Sequence, residues 1–451
     1  MTTRPIAAVI LAAGKGTRMK SDLHKVLHPI AGRPMLDHLL ASVEMIGAER
    51  IVVVVGNQRE QIEAALQGRG VEFAVQDPQL GTAHAVQQAE VVLEGFDGDV
   101  LLLSGDVPFV KPETMRNMLD ALRAEPAPAA VVLGFRPEDG AAYGRIVAAP
   151  DGTIMKMVEY KDATNEERMV GLCNSNLFAV RAADLWPLLA RVGNDNAQGE
   201  YYLPDIVMVA AEDERRSLVV EGEAAEAIGP NSRAEFALAE AGWQRARRAE
   251  AMRDGATLIA PETVWFAWDT QIGRDVVIEP NVFFGPGVVV EDRVTIRAFS
   301  HIEGARIASG AEIGPYARLR PGADIGEKAK VGNFVEVKKA KLGKGAKANH
   351  LSYIGDAEVG AGANIGAGTI TCNYDGYFKY RTVIGEGAFI GSNSALVAPV
   401  TIGGGAIVGA GSVVTRDVSA DAVALARGTQ IEKPGRAARF REIMSAKKRK
   451  G

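Results

Sequence analysis

Aliphatic residues recur along the second half of the chain with a period of six. From Ile272 the beat falls on Ile278, Phe284, Val290, Ile296 and Ile302, steps by five to Ile307, and runs through Ile313, Leu319, Ile325, Val331 and Val337. It is interrupted around His350, returns at Ile354, slips to Val359 and reaches Ile365. It breaks again over 372–383 and closes with Ile384, Ile390, Leu396, Ile402, Val408 and Val414. Gly follows many of these residues, as in Ile313-Gly314 and Ile390-Gly391. No α-helix has this period. One inward aliphatic per hexad, with small neighbours and Gly at corners, predicts a parallel β-helix of about eight three-hexad coils. A Gly-rich linker would show no phase between its Gly and the Ile, Val and Leu. The register slips at 337–342 and 354–359 are expected to flank a bulge that carries His350.

The first half has a different rhythm. Residues 5–11 (PIAAVIL) read as a buried strand, followed by a tight, basic, Gly-containing loop over 12–19. Strands at 51–55, 71–75 and 100–103 then alternate with helices at 58–66, 82–93 and 113–122, and further strands fall near 130–135, 153–158, 173–180 and 217–221. This alternation predicts a mostly parallel sheet with helices on both faces, ending near residue 231. Ser232 and Glu235 match a capping box, Ala, Glu and Arg dominate up to Arg253, and Gly255 suits a left-handed stop. Phe236 and Trp243 share one face of that helix. At about 1.5 Å per residue it spans roughly 30 Å, enough to separate two domains, although a helix packed wholly onto the first is the alternative. The boundaries expected are 1–231, 232–254 and 255–451. The basic end Lys447-Lys448-Arg449-Lys450, in the tail 440–451, reads as a solvated, disordered terminus without function.

Composition adds exclusions. A length of 451 residues suits two domains, and a net charge of -5 argues against nucleic acid as a partner. Cys173 and Cys372 are far apart, which argues against a disulfide framework or a zinc site and suits a reducing compartment. The amino-terminal apolar run breaks into Gly-Lys-Gly and reads as a strand, not a signal peptide. No apolar stretch is long enough to span a bilayer, so no membrane partner is expected and the location expected is cytoplasmic.

Two places carry candidate chemistry. In the loop after the first strand, Gly14 and Gly16 free backbone N–H groups to converge on an anion, while Lys15 and Arg18 add charge. The spacing is neither a Walker A loop nor a dinucleotide fingerprint, since Met19 stands at the third Gly. Asp106 ends the strand VLLLSGD at the sheet edge where ligands bind and is suited to Mg²⁺; a turn or cap role before Val107-Pro108 fits it equally. His350 lies in the first interruption, near Lys338, Lys339, Asn349 and Tyr353; the second, Thr371-Cys372-Asn373-Tyr374-Asp375-Gly376, is polar and aromatic. Loops ejected from a rigid coil are where such folds carry function.

LAAGKGTRM (11–19) with Lys25 resembles the sugar-1-phosphate nucleotidyltransferase family. QDPQLGTAHA (76–85), SGDVP (104–108), YGRIV (143–147), EYKDA (159–163), CNSN (173–176), GPNSR (229–233) and the hexad array narrow the resemblance. Over both halves and the linker, the chain is similar to the bifunctional N-acetylglucosamine-1-phosphate uridyltransferase / glucosamine-1-phosphate N-acetyltransferase family. The resemblance implies an α/β chain with a Rossmann-like nucleotidyltransferase domain, a linker helix and a left-handed parallel β-helix acetyltransferase domain, active as a homotrimer. It implies that Leu11, Ala12, Ala13 and Gly14 hold UTP, and that Arg18 and Lys25 neutralise phosphate charge during transfer. Gln76, Gly81 and Thr82 would read the uracil, Asp106 and Asn231 would ligate Mg²⁺, and Gly144, Glu159 and Asn174 would hold the acetylated sugar. Ser104 departs from members that carry Tyr there, with the metal ligand left in place. In the β-helix, His350 would be the general base. Arg320, Lys338, Tyr353 and Asn364 would contact glucosamine-1-phosphate, and Ala367, Asn373, Tyr374, Ser392, Ala410 and Arg427 would contact acetyl-CoA.

The implied activity acetylates glucosamine-1-phosphate, then couples the product to UTP with release of pyrophosphate, giving UDP-N-acetylglucosamine, a precursor of bacterial envelope polymers. A single-activity nucleotidyltransferase with a regulatory or oligomerising β-helix, and a non-catalytic nucleotide-sensing scaffold, are the rival readings.

Overall fold

The run IAAVILA forms the strand Ile6–Ala12 in the interior of a nine-stranded sheet. The computed structural model describes residues 4–14, 16–140 and 143–449, and the chain divides into two units, Met1–Arg245 and Ala246–Gly451. The main strand order in the first unit is Leu218–Glu221, Ala130–Phe135, Cys173–Arg181, Asp99–Ser104, Ile6–Ala12, Arg50–Val55, Glu72–Val75. Only Cys173–Arg181 runs antiparallel along this path. The strands are apolar on both sides because both faces are covered: Val9, Val52 and Leu102 enter one cluster, Ile10, Val53 and Leu101 the other. Ile6–Ala12 has Arg50–Val55 on one side and Asp99–Ser104 on the other. The winding direction therefore reverses beside it, and a crevice opens past the carboxyl ends of these strands. The helix expected over 82–93 stops at Gln87, ahead of Val91 and Val92, whose β-branches lose rotamer freedom in a helix.

The linker helix is Arg233–Arg253. The Ser232 hydroxyl accepts the Glu235 N–H at 3.3 Å, and the Glu235 carboxylate accepts the Asn231 N–H at 2.8 Å, one residue earlier than in a capping box. Phe236, Ala239 and Trp243 pack against Ile30, Ala31 and Met35. Further along, the Arg248 guanidinium donates to the Glu262 and Val264 carbonyls at 3.2 Å. The helix is therefore not packed wholly onto the first unit.

In the second unit, three parallel sheets of ten, eight and eight strands are built by pairing each strand with the third one after it, except at the two ends of the ten-stranded sheet, where Thr257–Leu258 pairs with Val277–Ile278 and Ile407–Val408 with Val423–Ala424, each the second strand on. This is the parallel β-helix that the hexads predict, and its hexapeptide repeats give the left-handed form. Ile296, Ile313, Leu319, Ile325, Val331 and Val337 are fully buried along its axis, each burial stabilising by about 1.5–3 kcal/mol. The array starts before Ile272, at Thr257–Leu258, because the turn Pro261–Thr263 widens the first coil and breaks the count of six.

No bulge carries His350, contrary to the sequence expectation. Ala348 takes the inward place, fully buried, and pairs with Val331 on one coil and Ile365 on the other. An alanine hides the beat from an aliphatic count, and the five-residue steps mark 17-residue coils, as between Val337 and Ile354. The second interruption is real: Ile365 pairs with Ile390, 25 residues on, so a loop leaves the coil between Cys372 and Thr382. Thr371 holds the inward place before it and accepts the Gly355 N–H through its hydroxyl at 2.8 Å. The tail also differs from expectation. Arg436–Lys448 is a helix with every residue exposed, made of good helix formers such as Ala, Arg and Lys. Lys450 and Gly451 lie outside the described residues.

Candidate active sites

The crevice in the first unit is a cleft of about 590 Å³ walled by the loop after Ile6–Ala12, the end of Asp99–Ser104 and the segment before the linker helix. Leu11, Ala12, Ala13, Gly14, Arg18, Lys25, Gln76, Gly81, Thr82, Asp106, Asn174 and Asn231 all line it. Lys15 lies outside the described residues. The Lys25 ammonium donates to the Asp106 carboxylate and, at 2.7 Å, to the Asn231 side-chain carbonyl. Arg18 donates to the same Asn231 oxygen at 2.9 Å. Two cations and two oxygen donors from four separate stretches thus meet at one point. The loops of Asp106 and Asn231 are brought together by a close approach: a Cβ on Gly229 would fall 2.7 Å from the Asp106 carbonyl. One carboxylate and one amide oxygen suit a hard divalent cation, whose other positions go to water and substrate phosphate.

At the other end, Gln76 is buried and its amide donates to the Gly81 carbonyl at 2.9 Å. Gly81 has φ +118, and a Cβ there would fall 2.5 Å from the Tyr201 carbonyl, so no other residue fits. The Thr82 hydroxyl accepts the Leu203 N–H at 2.9 Å. Gly144 and Glu159 do not line the cleft but adjoin Asn174: the Gly144 carbonyl accepts the Asn174 N–H at 2.9 Å, and the Glu159 carboxylate lies 3.2 Å from where a Gly144 Cβ would sit. Burial pushes the Glu159 carboxyl up from its usual range, with Asp205 and Asp162 adding to the effect. His24 and Glu200 also line the cleft and fall outside the sequence motifs; Tyr143 and Asn176 line it too, and lie inside the motifs YGRIV and CNSN without an assigned role. For His24 the one sequence signal is its position next to Lys25.

In the β-helix, register aligns the second set. Asn333 pairs with His350, and the pairings Ala348 to Ile365, Ile365 to Ile390 and Ile390 to Val408 continue that column through Ala367, Ser392 and Ala410. One residue per coil, at about 4.8 Å per step, makes a ridge suited to an extended ligand. Arg427 donates to the Ala410 carbonyl at 2.8 Å. His350 Nδ1 lies 2.7 Å from the Asn333 amide oxygen. An amide oxygen only accepts, so Nδ1 carries the proton and Nε2 is left as the basic nitrogen. The corner that follows, at Phe334 and Leu351, has φ of 54 and 51, and Phe334, Tyr316 and Phe299 stack along it at 5.1 and 4.9 Å.

Lys338 and Tyr353 are on the adjacent sheet, Arg320 directly follows that sheet's strand Arg318–Leu319, and Asn364 is on the sheet of His350. Arg320 donates to Glu336 at 2.8 Å while its buried Nε has no partner among the described residues. Asn373 donates to the Tyr353 hydroxyl at 3.5 Å and to Asp356. Tyr374 is exposed in the ejected loop, its hydroxyl on the Gly376 carbonyl. The same loop brings Lys379, absent from the sequence-based set, against Lys338, and that second ammonium pushes the Lys338 ammonium below the usual lysine range. Two facing ammonium groups beside Arg320 form a place for a dianion. A cleft of about 400 Å³ opens next to them, lined by Lys339, Lys341, Lys379 and Arg381.

Among known proteins, the MobA-like NTP transferase domain family matches residues 8–176, and the bacterial transferase hexapeptide (six repeats) family matches 269–304 and 381–416. The chain is 72% identical over 448 residues to the bifunctional protein GlmU of Rhizorhabdus wittichii, covering 99% of each. It is 67% and 66% identical to those of Novosphingobium aromaticivorans and Sphingopyxis alaskensis, covering 98% of each chain. A nucleotidyltransferase sheet with its ligand crevice, a hexapeptide β-helix with a second site and full-length identity of this order lead to one conclusion: the chain belongs to the GlmU family of bifunctional enzymes, which join a uridyltransferase and an acetyltransferase in one polypeptide.

Proposed function

We propose the following division of labour for the two activities. The β-helix takes glucosamine-1-phosphate and acetyl-CoA; the sheet domain then takes the N-acetylated product and UTP, releasing pyrophosphate and UDP-N-acetylglucosamine. The observation that carries the reading is the convergence of Arg18, Lys25, Asp106 and Asn231 on one point of the cleft. Both reactants of uridyl transfer are anions, so the site must align them and neutralise charge more than move protons. Arg18 and Lys25 hold phosphate oxygens while the sugar phosphate attacks the α-phosphorus of UTP in line with departing pyrophosphate. Asp106 and Asn231 hold Mg²⁺, which supplies further charge neutralisation at the phosphates when bound. Gln76, Gly81 and Thr82 face the uracil, and Gly144, Glu159 and Asn174 the acetylated sugar.

In the β-helix, Arg320, Lys338, Lys379 and Tyr353 seat the sugar phosphate with Asn364, and the column of Ala367, Ser392 and Ala410 with Asn373, Tyr374 and Arg427 seats acetyl-CoA. His350 Nε2 takes a proton from the substrate amine as it attacks the thioester, and the thiolate of coenzyme A leaves. The exposure of His350 and the hexapeptide scaffold support a homotrimer, with neighbouring subunits closing the site. No helix among the described residues is long and apolar enough to cross a membrane, and with two free cysteines this supports work in the cytoplasm.

The test uses two variants of the full chain. Asp106→Asn is expected to lower uridyl transfer at least about 100-fold and leave acetyl transfer within a factor of two or so; His350→Ala is expected to do the reverse. Uridyl transfer near wild type in the first variant, or acetyl transfer within severalfold in the second, overturns the assignment. Thiol release from acetyl-CoA that depends on glucosamine-1-phosphate excludes an enzyme with only the nucleotidyl activity.

A further inference from the structure

The two cations of the nucleotide cleft stand on two short single turns. Arg18 lies in Thr17–Met19 and Lys25 opens Lys25–Leu27, and both donate to the Asn231 side-chain oxygen, at 2.9 and 2.7 Å. A lone 3₁₀ turn has little hydrogen bonding of its own, so a long basic side chain on it keeps its aim only if the turn is held from outside. The first residue of the linker helix supplies that hold. The Arg233 guanidinium donates through Nε to the Met19 carbonyl at 3.2 Å and through a terminal nitrogen to His28 Nδ1 at 3.3 Å. Met19 directly follows Arg18. The His28 N–H in turn donates to the Lys25 carbonyl at 3.3 Å. One planar fork thus spans both turns, and it ends on residues that are only 1% and 4% exposed. A guanidinium only donates, so Nδ1 is the acceptor and the bridge needs a neutral ring. Burial, and after it the Arg233 charge, push the His28 imidazolium below its usual range and so keep the ring neutral. One turn further along the helix, Phe236 meets the His28 ring edge-on at 6.0 Å.

We propose that Arg233 is a positioning residue for uridyl transfer: its guanidinium clamps Thr17–Met19 to Lys25–Leu27 and so sets the spacing and aim of Arg18 and Lys25. This rests on the reading that those two cations neutralise phosphate charge during transfer. Arg233, Met19 and His28 do not line the cleft, so the clamp acts through the two cations and not on the ligand. Its loss misaligns charges needed in the transition state and leaves the contacts to uracil and acetylated sugar in place; kcat falls and KM changes little.

The experiment uses the full-length enzyme. Arg233→Met keeps the apolar stem and removes every donor. His28→Leu removes the ring acceptor, whereas His28→Asn keeps an acceptor oxygen near the place of Nδ1. Uridyl transfer is measured below the onset of melting of each variant. Expected is a fall of about tenfold in kcat for Arg233→Met, with KM for UTP and for N-acetylglucosamine-1-phosphate within about threefold, and a fall of about three- to tenfold in kcat for His28→Leu. His28→Asn recovers kcat to within about twofold of wild type. The double variant Arg233→Met with His28→Leu is at most about twofold slower than Arg233→Met alone, because both changes break one bridge. Acetyl transfer by the same chains stays at wild-type level. A residue that only supported the fold would lower the melting temperature without this split in kcat between His28→Leu and His28→Asn. A kcat within about twofold of wild type in Arg233→Met overturns the inference, as does a His28→Asn variant as slow as His28→Leu, or a double variant whose losses multiply. Wild-type uridyl transfer in Arg18→Ala overturns instead the reading on which it rests.

Discussion

Asp205 opens the helix Asp205–Glu212 close to Glu159, and burial, with Asp162 adding to it, pushes its carboxyl up to about 6. An acid with a raised folded value stabilises most where it is protonated in both states. That contribution is present below about 3.8 and is lost as the pH climbs through about 6. Asp205→Asn, which stays neutral, is therefore expected to raise the melting temperature of the uridyltransferase half by about 2–6 °C at pH 8 after allowance for solvent screening, and to change little at pH 4. A pH series of melting curves checks this; an equal shift at both ends means that something other than ionisation is responsible. At this scale the sequence shows residue types and their spacing but not their partners. Asp106 ends a strand and so declares itself, whereas the role of Lys379 arises only because the ejected loop lays its ammonium against Lys338.

At the scale of elements, the strand and helix pattern of the first half is legible because buried parallel strands are continuous apolar runs. The capping signal at Ser232 and Glu235 is legible too, with a consequence beyond the helix. The Glu235 carboxylate fixes the Asn231 backbone N–H, and Asn231 carries the oxygen shared by Arg18 and Lys25. Glu235→Ala is expected to lower stability by about 1 kcal/mol through loss of the cap, and to slow uridyl transfer roughly three- to tenfold with acetyl transfer unchanged. Uridyl transfer at wild-type rate would separate the cap from the site. The coil at His350 escapes the hexad count for a definite reason: alanine fills the axial place at 348 as isoleucine does elsewhere, and a pattern of large aliphatics does not include it.

For the whole molecule, the prism built from three parallel sheets leaves His350 exposed on one chain, and closure by neighbouring copies is the expected remedy. Sedimentation is expected to give a species of three times the chain mass, and dilution to monomer is expected to abolish acetyl transfer before uridyl transfer. A monomeric enzyme with full acetyl transfer would end that expectation. Periodicity determined much by itself: a hexad with one inward aliphatic has a single regular solution, so the β-helix, and the alternating sheet domain before it, are written along the chain. Motif chemistry located the glycine loop, Asp106 and the second interruption in the same way, since these are local. What only the tertiary structure decided is long-range pairing. Asp106 and Asn231 meet because Gly229 permits a close approach, and His350 shares a ridge with Ala367, Ser392 and Ala410 because coil register stacks them. Such meetings depend on how strands wind and where a coil is 17 or 18 residues long, and no local pattern of residues encodes that distance.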